Sequence, residues 1–334
     1  MKRPFLLLLA QAVVRTVSLG AALIPLTLAQ GQAVVSPASP EYEAFNAVTA
    51  STNPTTKLAA AEDFINKFPA SSARIKVAEL VANDLYKVSN PAAAIILVER
   101  ANKIFTTDQE REVFNPVTLE SYANANRFDE AFKLADQILQ KNPDDIHTLV
   151  KMTSAGSLEA KKRERQHVSI ALEYGNRAIA LIEADKRTAG TSDEKWSELK
   201  GALGQLYQDT AILCLANGNT EEAKTRLMKA ATLKPTEPSN YALLGRVINA
   251  DYAQQLTAYE SMPESRAKEE TKKRMEGLVD KMIDAYARSA ALSTGRPEYQ
   301  KLLQQVIPDL TSYYKYRYQS TKGLQQLINK YRVK

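Results

Sequence analysis

Reactive side chains are scarce in this chain of 334 residues, which holds one cysteine, two histidines and one tryptophan. A lone Cys214 rules out an internal disulfide. Set between Leu213 and Leu215 in an apolar helical pattern, it is expected to pack as a small apolar side chain. Neither His147 nor His167 has a second histidine or a cysteine at ligand spacing, so no metal site is expected. Glycine-rich phosphate loops and a G-x-S-x-G elbow are missing too. Ser197-x2-Lys200 stands without the partner motifs of a serine acylase and reads as helix surface. The acidic pairs Asp144-Asp145 and Glu221-Glu222 fall at helix starts, where carboxylates favour the positive end of the helix dipole. Neither catalysis nor a cofactor is expected. β-branched runs are few and no hairpin dipeptide lies between alternating segments, so the chain reads as all-α.

Charge is nearly balanced once the amino terminus is set aside. Lys2 and Arg3 precede Phe5-Leu6-Leu7-Leu8-Leu9, a second apolar stretch runs from Val17 to Leu28, and Thr27 and Ala29 are small residues at the positions a signal peptidase inspects. Residues 1–29 are therefore expected to be an export signal, and the protein to be periplasmic or secreted. Arg15 and Gln11 argue against a full membrane span, which needs roughly 20 apolar residues. The alternative is an uncleaved membrane anchor, and membrane contact is expected only through it. Removing Lys2, Arg3 and Arg15, with no acids, lowers the formal charge from +6 to +3. That weakens the case for a nucleic-acid partner, and none is expected. Residues 30–40, small, polar and proline-bearing, suit a linker.

What the chain has in quantity is a degenerate helical repeat. After Gly204, Tyr207 and Ala211 lie on a first helix, Gly218-Asn219 breaks it, and a second helix carries Ala223, Leu227 and Ala230 before Pro235. An earlier copy has Leu119 and Tyr122, then Asn126 and Phe128, then Ala131, Ala135 and Ile138, ending at Pro143. Ala223 and Ala230 share one helical face, and small residues there let two helices approach. Gly218 permits the left-handed backbone that closes a helix, and Pro235 cannot continue one. The residues expected to open each second helix are Lys57, Ala94, Ala131, Ala171, Ala223 and Ile283, at intervals of 37, 37, 40, 52 and 60. The lengthening locates insertions in the second half. One is the loop Thr188-Ala189-Gly190-Thr191 before an extended helix; another is the charged segment 251–280, broken by Pro263. The chain thus divides into repeats over 41–250, that charged helical insertion, and a last repeat helix with two capping helices over 281–334. In the caps, Leu302, Val306, Ile307 and Leu310, then Leu324, Leu327, Ile328 and Tyr331, are expected to face inward.

Together with Tyr241-x2-Leu244-Gly245-x2-Ile248, these units resemble the tetratricopeptide repeat, whose pattern is W-x2-L-G-x2-Y, then A-x3-F, then P. The resemblance implies a right-handed solenoid of helical hairpins that binds a protein or peptide in a concave groove lined by the first helices. Matched by motif, that face carries Lys76, Asn83, Tyr86, Glu120, Gln205, Gln208, Arg246 and Asn249. Two rival functions stay open: a structural part of an envelope or secretion assembly, and an enzyme or glycan-binding module that uses 251–280 as a lid. Two further signals read as ordinary surface. Lys161-Lys162-Arg163-Glu164-Arg165 is a solvated connector, and in Tyr313-Tyr314-Lys315-Tyr316-Arg317-Tyr318 one helical pair packs while the other is solvated.

Overall fold

The computed structural model describes residues 39–188 and 191–332. The expected leader and nearly all of the expected linker lie outside the described residues, as do positions 189 and 190 of the 188–191 loop. Six helical hairpins follow one another. They are α1 (Pro40–Ala50) with α2 (Pro54–Lys67), α3 (Arg74–Leu85) with α4 (Pro91–Ile104), and α5 (Asp108–Asn124) with α6 (Phe128–Lys141). Then come α7 (Ile146–Lys161) with α8 (Val168–Glu183), α9 (Asp193–Ala216) with α10 (Thr220–Leu233), and α11 (Pro238–Glu260) with α12 (Arg266–Ser293). A 3-10 turn at Pro297–Tyr299 leads into α13 (Gln300–Tyr318), and α14 (Leu324–Lys330) follows. No strand occurs among the described residues. Helices pack mainly on their neighbours in sequence, and α3 also meets α5 as α7 meets α9. That serial contact is how a helical-repeat array buries its core.

Local chemistry sets the helix ends. Pro40, Pro54, Pro91 and Pro238 begin their helices, where the missing N–H has no intrahelical partner to lose. The side chains of Asn53, Asn90 and Asn219 accept hydrogen bonds from first-turn amides of α2, α4 and α10. Pro69, Pro143 and Pro235 fall just beyond α2, α6 and α10. Between α9 and α10, Gly218 sits at φ +78, and between α5 and α6 Asn126 takes the same left-handed region at φ +58.

Lys57, Ala94, Ala131, Ala171 and Ala223 each occupy the fourth position of an even-numbered helix, and all five are buried. At these points backbones come close. A Cβ on Gly156 of α7 would collide with that of Ala171 on α8. One on Gly245 of α11 would lie 2.6 Å from the Tyr286 ring of α12, again too close. Lys57 is the large exception, and an ion pair accommodates it. Its ammonium lies 2.5 Å from Asp84 of α3, whose other carboxylate oxygen takes Lys87 at 2.6 Å. Burial alone would raise the pKa of Asp84, but the hydrogen bonds from Lys57 and Lys87 outweigh it and hold the carboxyl below its ordinary value.

Three expectations are corrected. Ile283 does not open a helix; it lies deep inside α12, which starts at Arg266. Segment 251–280 supplies the second part of α11 and the first part of α12, joined by a short turn holding Pro263. The long interval before Ile283 therefore comes from longer helices within one hairpin. Ile307 is exposed, because α13 buries only Val306 and Leu310, one turn apart, and Ile307 sits about 100° round from Val306. On α14 Ile328 is buried, with Leu324, Leu327 and Tyr331 partly covered against the same core.

Candidate partner-binding face

The odd-numbered helices present one polar strip across α3, α5 and α7. Tyr86, just past the end of α3, keeps 45% of its surface exposed. Desolvation of its hydroxyl, then the nearby Glu120 carboxylate, pushes its pKa up to about 12. Glu120 of α5 accepts a hydrogen bond from Lys151 of α7 at 3.1 Å, and Lys151 also donates to Asn124 at 3.3 Å. On α7, His147, Lys151, Ser154 and Leu158 follow at helical spacing along one face, and Leu158 is 41% exposed. The strip therefore offers a phenol, a carboxylate, an ammonium and an exposed leucine. Together these suit the mixed polar and apolar contacts of a peptide chain.

Lys76 and Asn83, both exposed on α3, extend the expected face, with Lys76 paired to Glu79 at 2.9 Å. The other four expected residues are placed differently. Gln208 is 6% exposed and donates to the buried Asn240 of α11 at 2.7 Å, so it joins two helices and does not face a groove. Gln205 donates to Gln208 at 3.0 Å and to Asp209 at 3.3 Å. Arg246 is exposed but held by Gln305 of α13 at 2.9 Å, and Asn249 accepts from the Tyr313 hydroxyl at 2.7 Å. Helix α13 thus lies against the part of α11 that was expected to bind a ligand. The motif match could not register this, because α13 lies outside the repeat pattern. Conversely, Lys151 and Asn124 escaped the sequence reading.

Behind the strip lies a buried polar network. Asp209 of α9, 4% exposed, accepts from Ser154 and Ser157 of α7 at 2.9 Å each, and Lys161 stands 3.9 Å away. Burial pushes its pKa up, and the Lys161 charge and those hydroxyl donors offset only part of the shift. His167 is a second polar knot. Its Nδ1 lies 2.9 Å from Glu159, its backbone N–H donates to the same carboxylate at 3.0 Å, and its ring stacks on Phe132. Among the described residues no group of three or more His, Cys, Asp or Glu is placed to hold a metal ion. Cys214 is 1% exposed and burial pushes its thiol pKa up, the opposite of what a reactive thiolate needs. The connector at Lys161-Lys162-Arg163-Glu164-Arg165 is exposed, as expected. In the tyrosine cluster Tyr313 stacks on Tyr286 and Arg317 pairs with Asp280 at 2.8 Å, while Tyr316 and Tyr318 are exposed.

No protein-family model and no curated protein matches the chain. Solved structures with a similar course include TTC0263, described as a thermophilic TPR protein of Thermus thermophilus. It is 12% identical over 70% of this chain and 99% of its own, with a TM-score of 0.40. A monomeric mutant of IFIT1 with Gppp-AAAA is 15% identical over 83% of this chain, with a TM-score of 0.42. This chain spans 55% of the IFIT1 chain's length. Hairpins of neighbouring helices, closed by small residues and stopping prolines, resemble the tetratricopeptide repeat.

Proposed function

We propose that the protein is a non-catalytic binding scaffold for a protein or peptide, which lies along the odd-numbered helices. The observation that carries this reading is the strip of Tyr86, Glu120 and Lys151, which brings one exposed and two half-buried side chains of three successive hairpins together. Tyrosine is among the residues enriched at interface hot spots. The reading places the ligand toward α3, α5 and α7 and away from Arg246, where α13 covers α11.

Export belongs to the same proposal and rests on Lys2, Arg3 and the apolar run ending at Ala29. Among the described residues no helix is long and apolar enough to cross a membrane. Amino-terminal sequencing of the protein from its native cells tests this part; Met1 retained on a membrane-bound product removes it.

Site-specific photo-crosslinking in those cells tests the binding face. Probes at Tyr86 and Lys151 are expected to trap a partner, and a probe at Ile96, 66% exposed on α4, is not. Adducts at Ile96 without adducts at Tyr86 and Lys151 would instead favour a structural part held by its outer surface.

A further inference from the structure

The array opens on its other side. Helix α10 packs on α9 and α11, and α12 packs on α11 and α13, so the two even-numbered helices flank a groove floored by α11. The groove holds a cavity of about 530 Å³. Leu244 and Ile248 of α11 and Leu278 and Ala285 of α12 line it, Tyr241 closes one part, and Met228 of α10 stands on the lip with 57% of its surface exposed. Such a volume falls within the range of small-ligand sites, roughly 300–1,000 Å³. A docked protein covers far more surface, about 800 Å² on each partner. A methionine lip suits a flexible apolar chain, because its unbranched thioether adapts to irregular contacts.

The charges around the groove decide what else the ligand carries. Lys224 already reaches Asp251 at 3.1 Å and Glu221 at 2.7 Å. Asp280 is taken by Arg317 at 2.8 Å. Asp284 holds Arg288 at 2.9 Å and also accepts from the Tyr331 hydroxyl. Lys281, exposed on α12 at the rim, has no ion-pair or hydrogen-bond partner among the described residues. One positive charge beside an apolar floor is therefore left unmatched.

We propose that this groove binds a free linear amphiphile with a single anionic head, namely an acyl carboxylate. Its chain lies on Leu244, Ile248 and Leu278 beneath Met228, and its head meets Lys281. Apolar transfer from water supplies most of the affinity, and the exposed ion pair fixes orientation. This site is independent of the strip on the odd-numbered helices, so neither reading stands or falls with the other.

The test uses the full chain and dansyl-undecanoic acid as a fluorescent probe, displaced by dodecanoate below its micellar concentration. Saturable displacement is expected. Lys281→Gln is expected to weaken dodecanoate binding by about two- to fivefold, the range of an exposed ion pair. Met228→Glu should weaken it as well, by setting a carboxylate against the apolar chain. Both side chains are exposed, so neither variant should shift the melting curve. Dodecanol should displace the probe less well than dodecanoate. Absence of saturable displacement, unchanged binding in either variant, or equal displacement by dodecanol would overturn the proposal.

Discussion

At the scale of single residues, position and partners outweigh chemical type. Ala223 is fully buried at the fourth position of α10, which packs on α9 and α11. Ala223→Leu is expected to destabilise the protein by about 1–3 kcal/mol, the usual cost of overpacking. A denaturation curve measures it, and an unchanged midpoint would mean that the helices are not closely packed there. Asp209 makes a different prediction. Its folded-state pKa is raised above 3.8 by burial, so the fold favours the protonated carboxyl. That contribution is complete below the ordinary carboxylate pKa and is lost as pH rises through the raised folded value. Asp209→Asn cannot ionise and removes the loss. The variant should gain stability relative to the parent more at about pH 7 than at about pH 4, which lies close to the ordinary carboxylate pKa. Urea midpoints at the two pH values decide it; a difference that does not change with pH would show that Asp209 does not carry this dependence.

Elements show which features could be read from sequence and which could not. The fourth-position alanines, Gly218 and the stopping prolines mark α2 to α10 because each acts on its own helix end or contact. The outward turn of Ile307 and the hydrogen bond that Gln305 of α13 accepts from Arg246 depend on where a distant helix settles, and no local spacing encodes that. Gln208 shows the same limit: its polarity suggests a surface, yet Asn240 thirty-two positions away satisfies it inside. Lys57 was placed correctly by the repeat frame, although a lysine there has no meaning without Asp84 on the next helix. Their side chains are only 9% and 11% exposed, so the pair tests how α2 and α3 are joined. Asp84→Ala should cost about 3–5 kcal/mol, because it strands the Lys57 ammonium away from water. Lys57→Met together with Asp84→Leu keeps similar volume and removes both charges, and should recover most of that loss. If the double variant is as unstable as the single one, packing and not charge governs the site.

For the whole molecule, serial packing determines how damage spreads. The core falls into clusters ordered along the chain. One runs from Val48 to Val117, a second from Leu119 to Leu213, and the last, built on α11 to α14, from Ala242 to Ile328. In such an array each hairpin is stabilised by its neighbours, and a distant hairpin contributes only through those between. Phe105 is fully buried between α4 and α5 and its ring lies 4.8 Å from that of Phe114, so it ties the second hairpin to the third. Phe105→Ala is expected to remove about 3–5 kcal/mol of local packing. Amide hydrogen exchange should then accelerate through α3, α4 and α5, while α11, α12 and α13 keep the protection they have in the parent chain. A compact single-core protein would respond otherwise, since losing one core aromatic lowers the barrier to global opening and raises exchange everywhere. Uniform acceleration from α1 to α14 would therefore show that the hairpins unfold as one cooperative unit. Exchange confined to the helices around Phe105 would show that the first hairpins, which carry Tyr86 and Glu120, can open while α11 to α13 stay folded.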